Sequence, residues 1–299
     1  MKQRSVSVVI PSWNSESQLK ANLPSVLAAA KTVNGEVMVI DDASELDSTQ
    51  QYLESLGDKI RYYPNHVNQG YAFSVNRGVE LSSGEIVILL NTDVEVSPDC
   101  FTKALQYFSD PNVFSIGFNS GEGSMRITWE RGLFHHFKQE FDIAKDKHPI
   151  KSVWASGGQG AFLRQKWLEL GGMDLLYKPY YWEDTDLGYR AWKRGWTNLF
   201  APDCHCIHHH AQSVIAGNFA KDSIYTTAQR NQFLFIWKNI TDTPLLLTHI
   251  LWLPFYLSRY PKTIWQAIQL LPQALSSRRR ERVFWKRSDR DILKAWTRS

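Results

Sequence analysis

The chain has 299 residues, of which 43% are hydrophobic and 13% aromatic, so it has enough apolar material for a large folded core and is not a disordered protein. The net charge is +4, but eleven bases against three acids from Arg259 onward make the C-terminal end basic and leave the remainder slightly acidic. Because the arginines belong to a protein that is otherwise acidic and has no nucleic-acid-binding motif, we expect no nucleic-acid partner.

The cysteines and the apolar runs indicate where in the cell we expect the protein to be. Cys100, Cys204 and Cys206 form no even-numbered disulfide framework, and no charged segment followed by an apolar run opens the chain. We therefore expect a reducing, cytoplasmic setting. The longest apolar stretch, 244–257, is interrupted by a histidine and a proline and is shorter than the roughly 18 apolar residues that span a bilayer. We expect it to lie in a core or on a membrane surface.

Strand and helix patterns alternate through the first third of the chain. Apolar, β-branched runs that end in turn residues predict strands, and apolar residues at helical spacing between them predict helices. The predicted strands are 5–13, 36–42, 59–63 and 85–93, and the predicted helices are 15–30, 48–56 and 72–81. This alternation predicts an α/β fold with a mostly parallel central sheet flanked by helices, and a ligand crevice at the carboxyl ends of the strands.

The pattern is weaker in the middle of the chain. We interpret residues 114–154 as a long excursion, a hairpin or a lid. Residues 156–172 look like a glycine-rich loop or strand that leads into a helix, and residues 228–239 look helical. The predicted main domain covers 1–240, in halves 1–98 and 99–240, and a basic amphipathic helical extension covers 241–299.

Polar residues follow three of the predicted strands directly. They are Pro11-Ser12-Trp13-Asn14, Asp41-Asp42 and Asn91-Thr92-Asp93. Because parallel strands end at the same edge of a sheet, we expect these residues to converge on one crevice. Asn91 and Asp93 offer hard oxygen ligands, which suit Mg²⁺ or Mn²⁺ held partly by a substrate diphosphate. Taken alone, the same residues are also typical of an ordinary turn.

Three carboxylates, Glu183, Asp184 and Asp186, stand within four positions, after two tyrosines and a tryptophan. Like charges at this spacing repel each other and aromatic neighbours remove water, so the pKa of such a carboxyl tends to rise. Asp184 or Thr185 is expected to cap a helix that ends at Gly195, and the helix dipole favours negative charge at that end. Such a cluster indicates a functional task.

Seven segments of the chain match one family, in the family's own order. They are "VSVVIPSWN", "VMVIDDAS", "NQGYAFSVNRG", "LLNTDVEVSP", "GGQGAFLRQKWLELGGMD", "YYWEDTDLGYRAWKRGW" and "HHHAQS", over residues 6–213. The sequence resembles the family 2 glycosyltransferases with the GT-A fold. It is particularly similar to the bacterial rhamnosyltransferase-like branch that builds cell-surface polysaccharides. The resemblance implies that residues 1–98 bind a nucleotide sugar and residues 99–240 bind the acceptor.

The resemblance implies a UDP- or dTDP-sugar donor. Asp42 matches the position whose carboxylate accepts a hydrogen bond from the N3–H group of uracil or thymine, and a carboxylate, which only accepts, favours those bases. The other positions that match nucleotide-sugar contacts are Pro11, Ser12, Trp13, Asn68, Gly70, Asn76, Asn91, Thr92 and Gly158. For Trp13, packing as a half-buried side chain is an equally good interpretation.

The resemblance also implies a Mn²⁺ or Mg²⁺ cofactor. Asp93 matches the metal-binding acid of the family's D-x-D motif, although Asn91 stands where an aspartate often does. His208 matches a further ligand of the same ion. A zinc site is the alternative interpretation of the segment "CHCIHHH", but residues on a strand rise about 3.3 Å each, which spreads its alternate cysteines and histidines widely.

Asp184 matches the family's catalytic base. Its implied role is to take a proton from an acceptor hydroxyl as that oxygen attacks the anomeric carbon opposite the leaving nucleoside diphosphate, which inverts the configuration. Glu183, Asp186 and Trp182 would hold the acceptor, a saccharide or lipid-linked glycan, or brace the loop.

Two alternatives to a glycosyltransferase remain. A nucleotidyltransferase would need a glycine-rich phosphate loop with a basic residue, which "PSWNSES" lacks. A non-catalytic glycan-binding scaffold descended from such an enzyme would share every motif above.

The C-terminal extension has two interpretations. Its aromatic, aliphatic and arginine residues suit docking on anionic lipid at the inner face of the cell membrane, close to a lipid-linked acceptor. A helical extension that packs on the main domain and exposes a basic face explains the same composition.

Overall fold

A mixed β-sheet with helices on both faces forms the centre of the protein. The computed structural model describes residues 4–139, 141, 148–209 and 220–297. The strands are β1 (Val6–Ser12), β2 (Glu36–Asp41), β3 (Arg61–Pro64), β4 (Ile86–Leu90), β5 (Val94–Val96), β6 (Val113–Asn119), β7 (Ser124–Glu130), β8 (Leu133–Gln139), β9 (Ile150–Ser152), β10 (Gln159–Leu163) and β11 (Thr197–His208). The helices are α1 (Glu16–Thr32), α2 (Thr49–Ser55), α3 (Tyr71–Leu81), α4 (Cys100–Gln106), α5 (Arg164–Glu169), α6 (Glu183–Lys193), α7 (Lys221–Asn239), α8 (Thr243–Arg259), α9 (Pro261–Arg282) and α10 (Asp289–Thr297).

The sheet is parallel in its first half and mixed in its second. Strands β3, β2, β1 and β4 lie side by side and run parallel. Next comes β10, which runs antiparallel to β4 and to β6, while β11 runs parallel to β6. The predicted α/β class is confirmed. Strands β1 and β2 also end side by side, with Ser12 opposite Asp41, so the polar residues that follow them are neighbours.

Helices bury both faces of the central strands. Every residue of β1 and β4 is buried, as expected for parallel strands covered on both sides. Val8 and Ile88 face the layer that contains α1 and α4. Val9 and Leu89, one residue further along each strand, face the layer that contains α3, α5 and α6.

The strand predicted at 85–93 is shorter in the structure. It stops at Leu90, and the Asn91 amide then donates a hydrogen bond at 2.8 Å to the carbonyl of Gly158, the residue before β10. The chain then forms β5, which pairs antiparallel with β11. This turn places Asp93 between β4 and β5 in the chain, at the edge of the sheet where the parallel strands end.

The helix that carries the acid cluster begins earlier than predicted. Its first residue is Glu183, and the preceding Trp182 adopts a left-handed backbone with φ of 80°. The prediction that Asp184 or Thr185 caps this helix is therefore wrong. Both lie inside its first turn, and the Asp184 side chain instead accepts from a neighbouring loop.

Residues 114–154 contain β6, a hairpin and β9. The hairpin, β7–β8, forms a separate two-stranded sheet. Its Phe134 ring packs on Trp182 and Phe235, with centroids 6.2 and 4.6 Å away. A second, aromatic core thus joins the hairpin to α6 and α7.

The C-terminal helices pack on the rest of the protein, as one of the two interpretations of the extension expects. Helix α9 lies along α7 and buries Ile264, Ala267 and Ala274 in the aromatic core, and α10 contacts α6 and β7. No helix in the described ranges combines the length and apolarity needed to cross a bilayer. The domain boundaries stay a prediction.

All three cysteines are buried and free. Burial and the neighbouring Cys204 raise the pKa of the Cys206 thiol to about 12. Within the described part of the chain, no group of three or more His, Cys, Asp or Glu residues is placed to hold a metal ion. This gives the zinc interpretation no support; His210 and the rest of the "HHHAQS" segment after His209 lie outside the described residues.

Candidate active site

Asp42 fixes the loop that enters α3. Its Oδ1 accepts from the Gln69 amide at 2.9 Å and from Asn65 Nδ2 at 2.7 Å, and its Oδ2 accepts from the Gly70 amide at 2.7 Å. Gly70 has φ of 87°, a conformation that glycine adopts without strain. A carboxylate has about four acceptor positions, so the base contact predicted for Asp42 would use the second lone pair of Oδ2.

The end of β1 lines the same edge. Pro11 and Ser12 are buried at the end of the strand, and Trp13 is half-buried. The Ser12 hydroxyl has no hydrogen-bond partner among the described residues although it is buried. An unpartnered buried hydroxyl at a strand end is consistent with a ligand contact.

Other residues that were predicted to contact the nucleotide-sugar donor have different surroundings. Asn68 is exposed on the loop before α3. Both polar atoms of the Asn76 side chain bond to the backbone of Met173, at 2.8 and 2.9 Å, so Asn76 fixes the loop after α5. Asn91 lies against Gly158, and the Thr92 carbonyl accepts from Asn22 at 2.9 Å.

Asp93 and His208 form a pair beside this edge. The Asp93 Oδ1 atom lies 3.2 Å from His208 Nε2, and the register of β5 with β11 brings the two residues together. Asp93 Oδ1 is buried, and apart from this contact with His208 it has no partner among the described residues. A carboxylate oxygen and an imidazole nitrogen this close fit a divalent cation whose other positions are filled by diphosphate and water.

Tyr71 connects the metal side of the site to the acid cluster. It is the first residue of α3, directly after Gly70. Burial raises the pKa of its phenol well above 10, and the charges of Asp184, Glu183 and Asp93 raise it further. Asp184 Oδ1 and the Tyr71 hydroxyl both lie within 2.9 Å of a methyl group added at Gly157. Asp42 binds the Gly70 amide, one residue before Tyr71, so the start of α3 links Asp42 to the acid cluster.

Glu183 is buried and Asp184 is half-buried, and neither forms an ion pair with a cation among the described residues. Asp184 Oδ1 accepts from the Gly157 amide at 3.0 Å. Burial raises the pKa of the Asp184 carboxyl to about 7. Burial, and then the Asp184 charge, raises the pKa of Glu183 as well. Glu183 Oε2 has no hydrogen-bond partner in the described part of the chain. Such a carboxyl exchanges its proton near neutral pH, as a general base must.

Asp186 has a different environment. It accepts from Tyr177, Arg190, Lys238 and Asn239 at 2.7 to 2.8 Å. Burial alone would raise its pKa, but the charges of Arg190 and Lys238 lower it. Because every accepting position is used, only the bracing role remains of the two predicted for Asp186. The buried Trp182 ring likewise packs between Phe134 and Phe235.

Two residues of the site were not singled out from the sequence, Tyr71 and Gly157. A methyl group added at Gly157 would lie 2.8 Å from Asp184 Oδ1 and 2.9 Å from the Tyr71 hydroxyl, so only glycine fits there. The signals available in the sequence were the paired glycines of "SGGQG" and the tyrosine that follows Gly70 at a helix start.

Curated relatives match over part of their length. A probable N-acetylgalactosaminyltransferase 9 of Caenorhabditis elegans is 26% identical over 65% of this chain and 38% of its own length. An N-acetylglucosaminyl-diphospho-decaprenol L-rhamnosyltransferase of Mycobacterium tuberculosis is 26% identical over 59% of this chain and 67% of its own length. The chain thus matches well under half of the first of these proteins.

Solved structures share the fold. GalNAc-T7 with UDP, GalNAc and Mn²⁺ has a TM-score of 0.67 at 18% identity, over 88% of this chain and 51% of the other. Staphylococcus aureus TarS in complex with UDP-GlcNAc has a TM-score of 0.55 at 14% identity, over 85% and 73%. The fold is therefore the GT-A fold that the resemblance implied.

The family model of glycosyl transferase family 2 matches residues 7–170, more than half of the chain. With the strand-end residues and the acid cluster placed as described, the chain belongs to glycosyl transferase family 2.

Proposed function

We propose that this chain is an inverting glycosyltransferase. It moves a sugar from a UDP- or dTDP-linked donor to a hydroxyl of a saccharide or lipid-linked glycan during synthesis of cell-surface polysaccharide. The observation that carries the proposal is that two adjacent loop residues contact both sides of the site: the Gly157 amide binds Asp184, and the Gly158 carbonyl binds the amide of Asn91, two residues before Asp93. A diphosphate site and a base must face the same anomeric carbon.

Asp184 takes the proton of the acceptor hydroxyl. Its raised pKa makes it a stronger base than an exposed aspartate, while the Gly157 amide orients the carboxylate through Oδ1 and leaves Oδ2 for the acceptor. The attack comes from the face opposite the leaving nucleoside diphosphate. Glu183, the next residue in the same turn, is placed to contact the acceptor.

Asp93 and His208 would hold the divalent cation. When bound, Mn²⁺ or Mg²⁺ neutralises the charge that develops on the departing diphosphate. The Mn²⁺ in GalNAc-T7 and the Mn²⁺ in a Pyrobaculum calidifontis mannosyltransferase with GDP-Man support a metal-dependent reaction here.

The proposed donor rests on Asp42 and on the relatives. The remaining acceptor position of Asp42 suits the N3–H group of uracil or thymine. UDP in GalNAc-T7 and UDP-GlcNAc in TarS support a uridine donor. The mycobacterial rhamnosyltransferase, named for a diphospho-decaprenol substrate, supports a lipid-linked acceptor.

The proposal is tested with Asp184→Asn and Asp93→Ala. Asp184→Asn keeps the volume and a hydrogen-bond acceptor but loses the base, so we expect UDP binding to persist and transfer to fall by roughly 10²-fold or more. Asp93→Ala should weaken UDP binding in the presence of Mn²⁺ and leave metal-free binding unchanged. Calorimetry with UDP and Mn²⁺, followed by a donor-hydrolysis assay, measures both.

The exposed Asp58→Asn serves as the control for loss of a carboxylate. Turnover by Asp184→Asn at the level of Asp58→Asn would exclude Asp184 as the base. Donor binding by the wild-type chain with no turnover of any nucleotide sugar would instead favour a non-catalytic scaffold.

A further inference from the structure

Helix α8 presents an apolar face to solvent. Residues 243–258 contain no Asp, Glu, Lys or Arg. Leu247, Ile250, Leu251 and Phe255 are 55, 60, 78 and 55% exposed, and their spacing of three and four residues places them on one side of the helix. We call these four side chains the α8 face. A contiguous exposed apolar group of this kind marks an interaction surface, whereas single exposed residues are ordinary.

The opposite side of α8 is firmly attached to the protein. His249 Nδ1 lies 2.7 Å from the Gly132 carbonyl, and the Tyr256 hydroxyl donates to the Arg131 carbonyl at 2.8 Å. Both carbonyls belong to the turn of the β7–β8 hairpin. The helix is therefore oriented by specific contacts, and the α8 face points outward as a consequence.

Helix α9, which follows directly in the chain, also exposes apolar side chains. Tyr260 alone separates the two helices, and Trp265 and Ile268 on the first turns of α9 are 63 and 40% exposed. Tryptophan is enriched where protein meets the headgroup region of a bilayer, since its ring is apolar and its N–H group is polar.

The charged side chains that α8 and α9 contribute as far as Arg280 have one sign. No Asp or Glu occurs between residues 243 and 280, and the bases Arg259 and Lys262 are exposed on either side of Tyr260. An apolar helix face that is flanked by bases and has no acid on its own helix complements an anionic lipid surface. A second copy of the same face would bring like charges together, which disfavours self-association.

We propose that the α8 face, together with Arg259 and Lys262, docks on an anionic lipid bilayer. Its role rests on the proposed glycosyl transfer. The hairpin that holds α8 also packs Phe134 on Trp182, the residue before the acid cluster. Docking through α8 would therefore orient the acceptor side of the site with respect to the membrane, where a lipid-linked acceptor resides.

Vesicle flotation of the full chain tests the apolar contribution. The vesicles are phosphatidylcholine alone, or phosphatidylcholine with about one third phosphatidylglycerol. Leu251→Glu is compared with Leu46→Glu, because the two leucines are 78 and 80% exposed and only Leu251 belongs to the α8 face. We expect Leu251→Glu to lower binding to the anionic vesicles at least about tenfold and Leu46→Glu to leave it unchanged.

A second pair of variants tests the charge contribution. Arg259→Gln with Lys262→Gln removes two bases beside the α8 face, and Lys31→Gln with Lys59→Gln removes two exposed bases elsewhere. The first pair should weaken binding to anionic vesicles by roughly tenfold, and the second by much less. This comparison remains informative even if Leu251→Glu fails to fold, which a thermal melt would reveal.

Absence of vesicle binding by the wild-type chain would overturn the proposal. So would equal effects of the α8 variants and their controls, or a concentration-dependent dimer that Leu251→Glu dissolves while no vesicle binding occurs. Flotation needs neither donor nor turnover. Failure to bind vesicles thus leaves glycosyl transfer standing, and an inactive protein that still floats leaves docking standing.

Discussion

Asp184 and Asp186 are two positions apart in the first turn of α6, yet their surroundings shift the pKa values of the two carboxyls in opposite directions. Asp184 receives one backbone hydrogen bond from Gly157, and burial raises its pKa. Asp186 accepts hydrogen bonds from four donors. Burial alone would raise its pKa, but the charges of Arg190 and Lys238 lower it. The same residue type therefore supplies a base at one position and an anchor at the other.

The raised pKa of Asp184 predicts an activity that increases with pH. A carboxyl with a pKa of about 7 is mostly protonated at pH 5 and cannot accept a proton there. We expect kcat/KM to rise through neutral pH and to level off above it. Initial rates of donor consumption between pH 5 and 9 measure the profile.

Stability should change in the opposite direction. A carboxyl whose pKa is raised by folding stabilises the folded state fully below its unfolded pKa, and this contribution is lost as pH rises through the folded value. Asp184→Asn should therefore melt at a higher temperature than wild type at pH 8, and the difference should shrink toward pH 4.

An activity profile that is flat between pH 5 and 8 would contradict the assigned base.

Tyr71 is expected to be a positioning residue. Its hydroxyl and Asp184 Oδ1 both lie within 2.9 Å of a methyl group added at Gly157. Tyr71→Phe removes this polar group from the surroundings of Asp184, so we expect the charged form of Asp184 to become less favourable and its pKa to rise.

The readout is the acidic limb of the activity profile, which should move to higher pH in Tyr71→Phe and partly recover its rate at pH 9. Tyr63→Phe on β3 is the matched control, since Tyr63 packs beside the same layer. A purely structural role would lower the rate equally at every pH and would leave the limb in place.

Helix α6 is held in place by groups from other elements. Lys238 and Asn239 at the end of α7 both bind Asp186 at 2.8 Å. Arg190, one turn further along α6, donates to the carbonyls of Leu170 and Gly172. Because the carboxylate of Asp186 is satisfied on all sides, the first turn of α6 is rigid, and Asp184 in that turn is presented in one orientation.

The loop before β10 fixes the end of β4. The Gly158 carbonyl accepts from the Asn91 amide at 2.8 Å, and a methyl group added at Gly158 would lie 2.5 Å from Asn91 Nδ2. Gly158→Ala must therefore displace Asn91, two residues before Asp93. We expect UDP binding in the presence of Mn²⁺ to weaken about tenfold or more, as measured by calorimetry.

Gly117→Ala provides the comparison, since a methyl group added there would come no closer than 3.6 Å to any atom beyond its neighbours in the chain. Both glycines lie in the central sheet or beside it, so a general cost of an added methyl group would affect them alike. Equal donor affinity in the two variants would show that the close approach of Gly158 to Asn91 does not contribute to donor binding.

At the scale of the whole molecule, the sequence predicted those features of the fold that depend on local residue patterns. Alternating strands and helices predicted the sheet, and the polar residues after β1, β2 and β4 meet because parallel strands end at one edge. A strand within residues 156–172 was one of the two interpretations of that segment, but the antiparallel direction of β10 was not predicted. Its direction depends on pairing with β4, some 70 residues earlier, which no local signal encodes.

The buried charge network could not be predicted for a similar reason. Asp186 and Lys238 are 52 residues apart, and no pattern in either segment predicts that the two charges pair. Likewise, the hydroxyl of Tyr71 acquires its surroundings only when α3 packs against the loop at Gly157 and the start of α6. The acid cluster was recognised as unusual, but the division of roles within it required tertiary contacts.

The burial of all three thiols has a practical consequence for spectroscopy. Maleimide dyes attack the thiolate, and a buried thiol whose pKa lies near 12, like that of Cys206, reacts very slowly at neutral pH. A cysteine introduced at the exposed Ser258 on α8 would therefore take up a dye almost alone. Fluorescence from that single position would report how deeply the helix settles among headgroups, without any native thiol being replaced first.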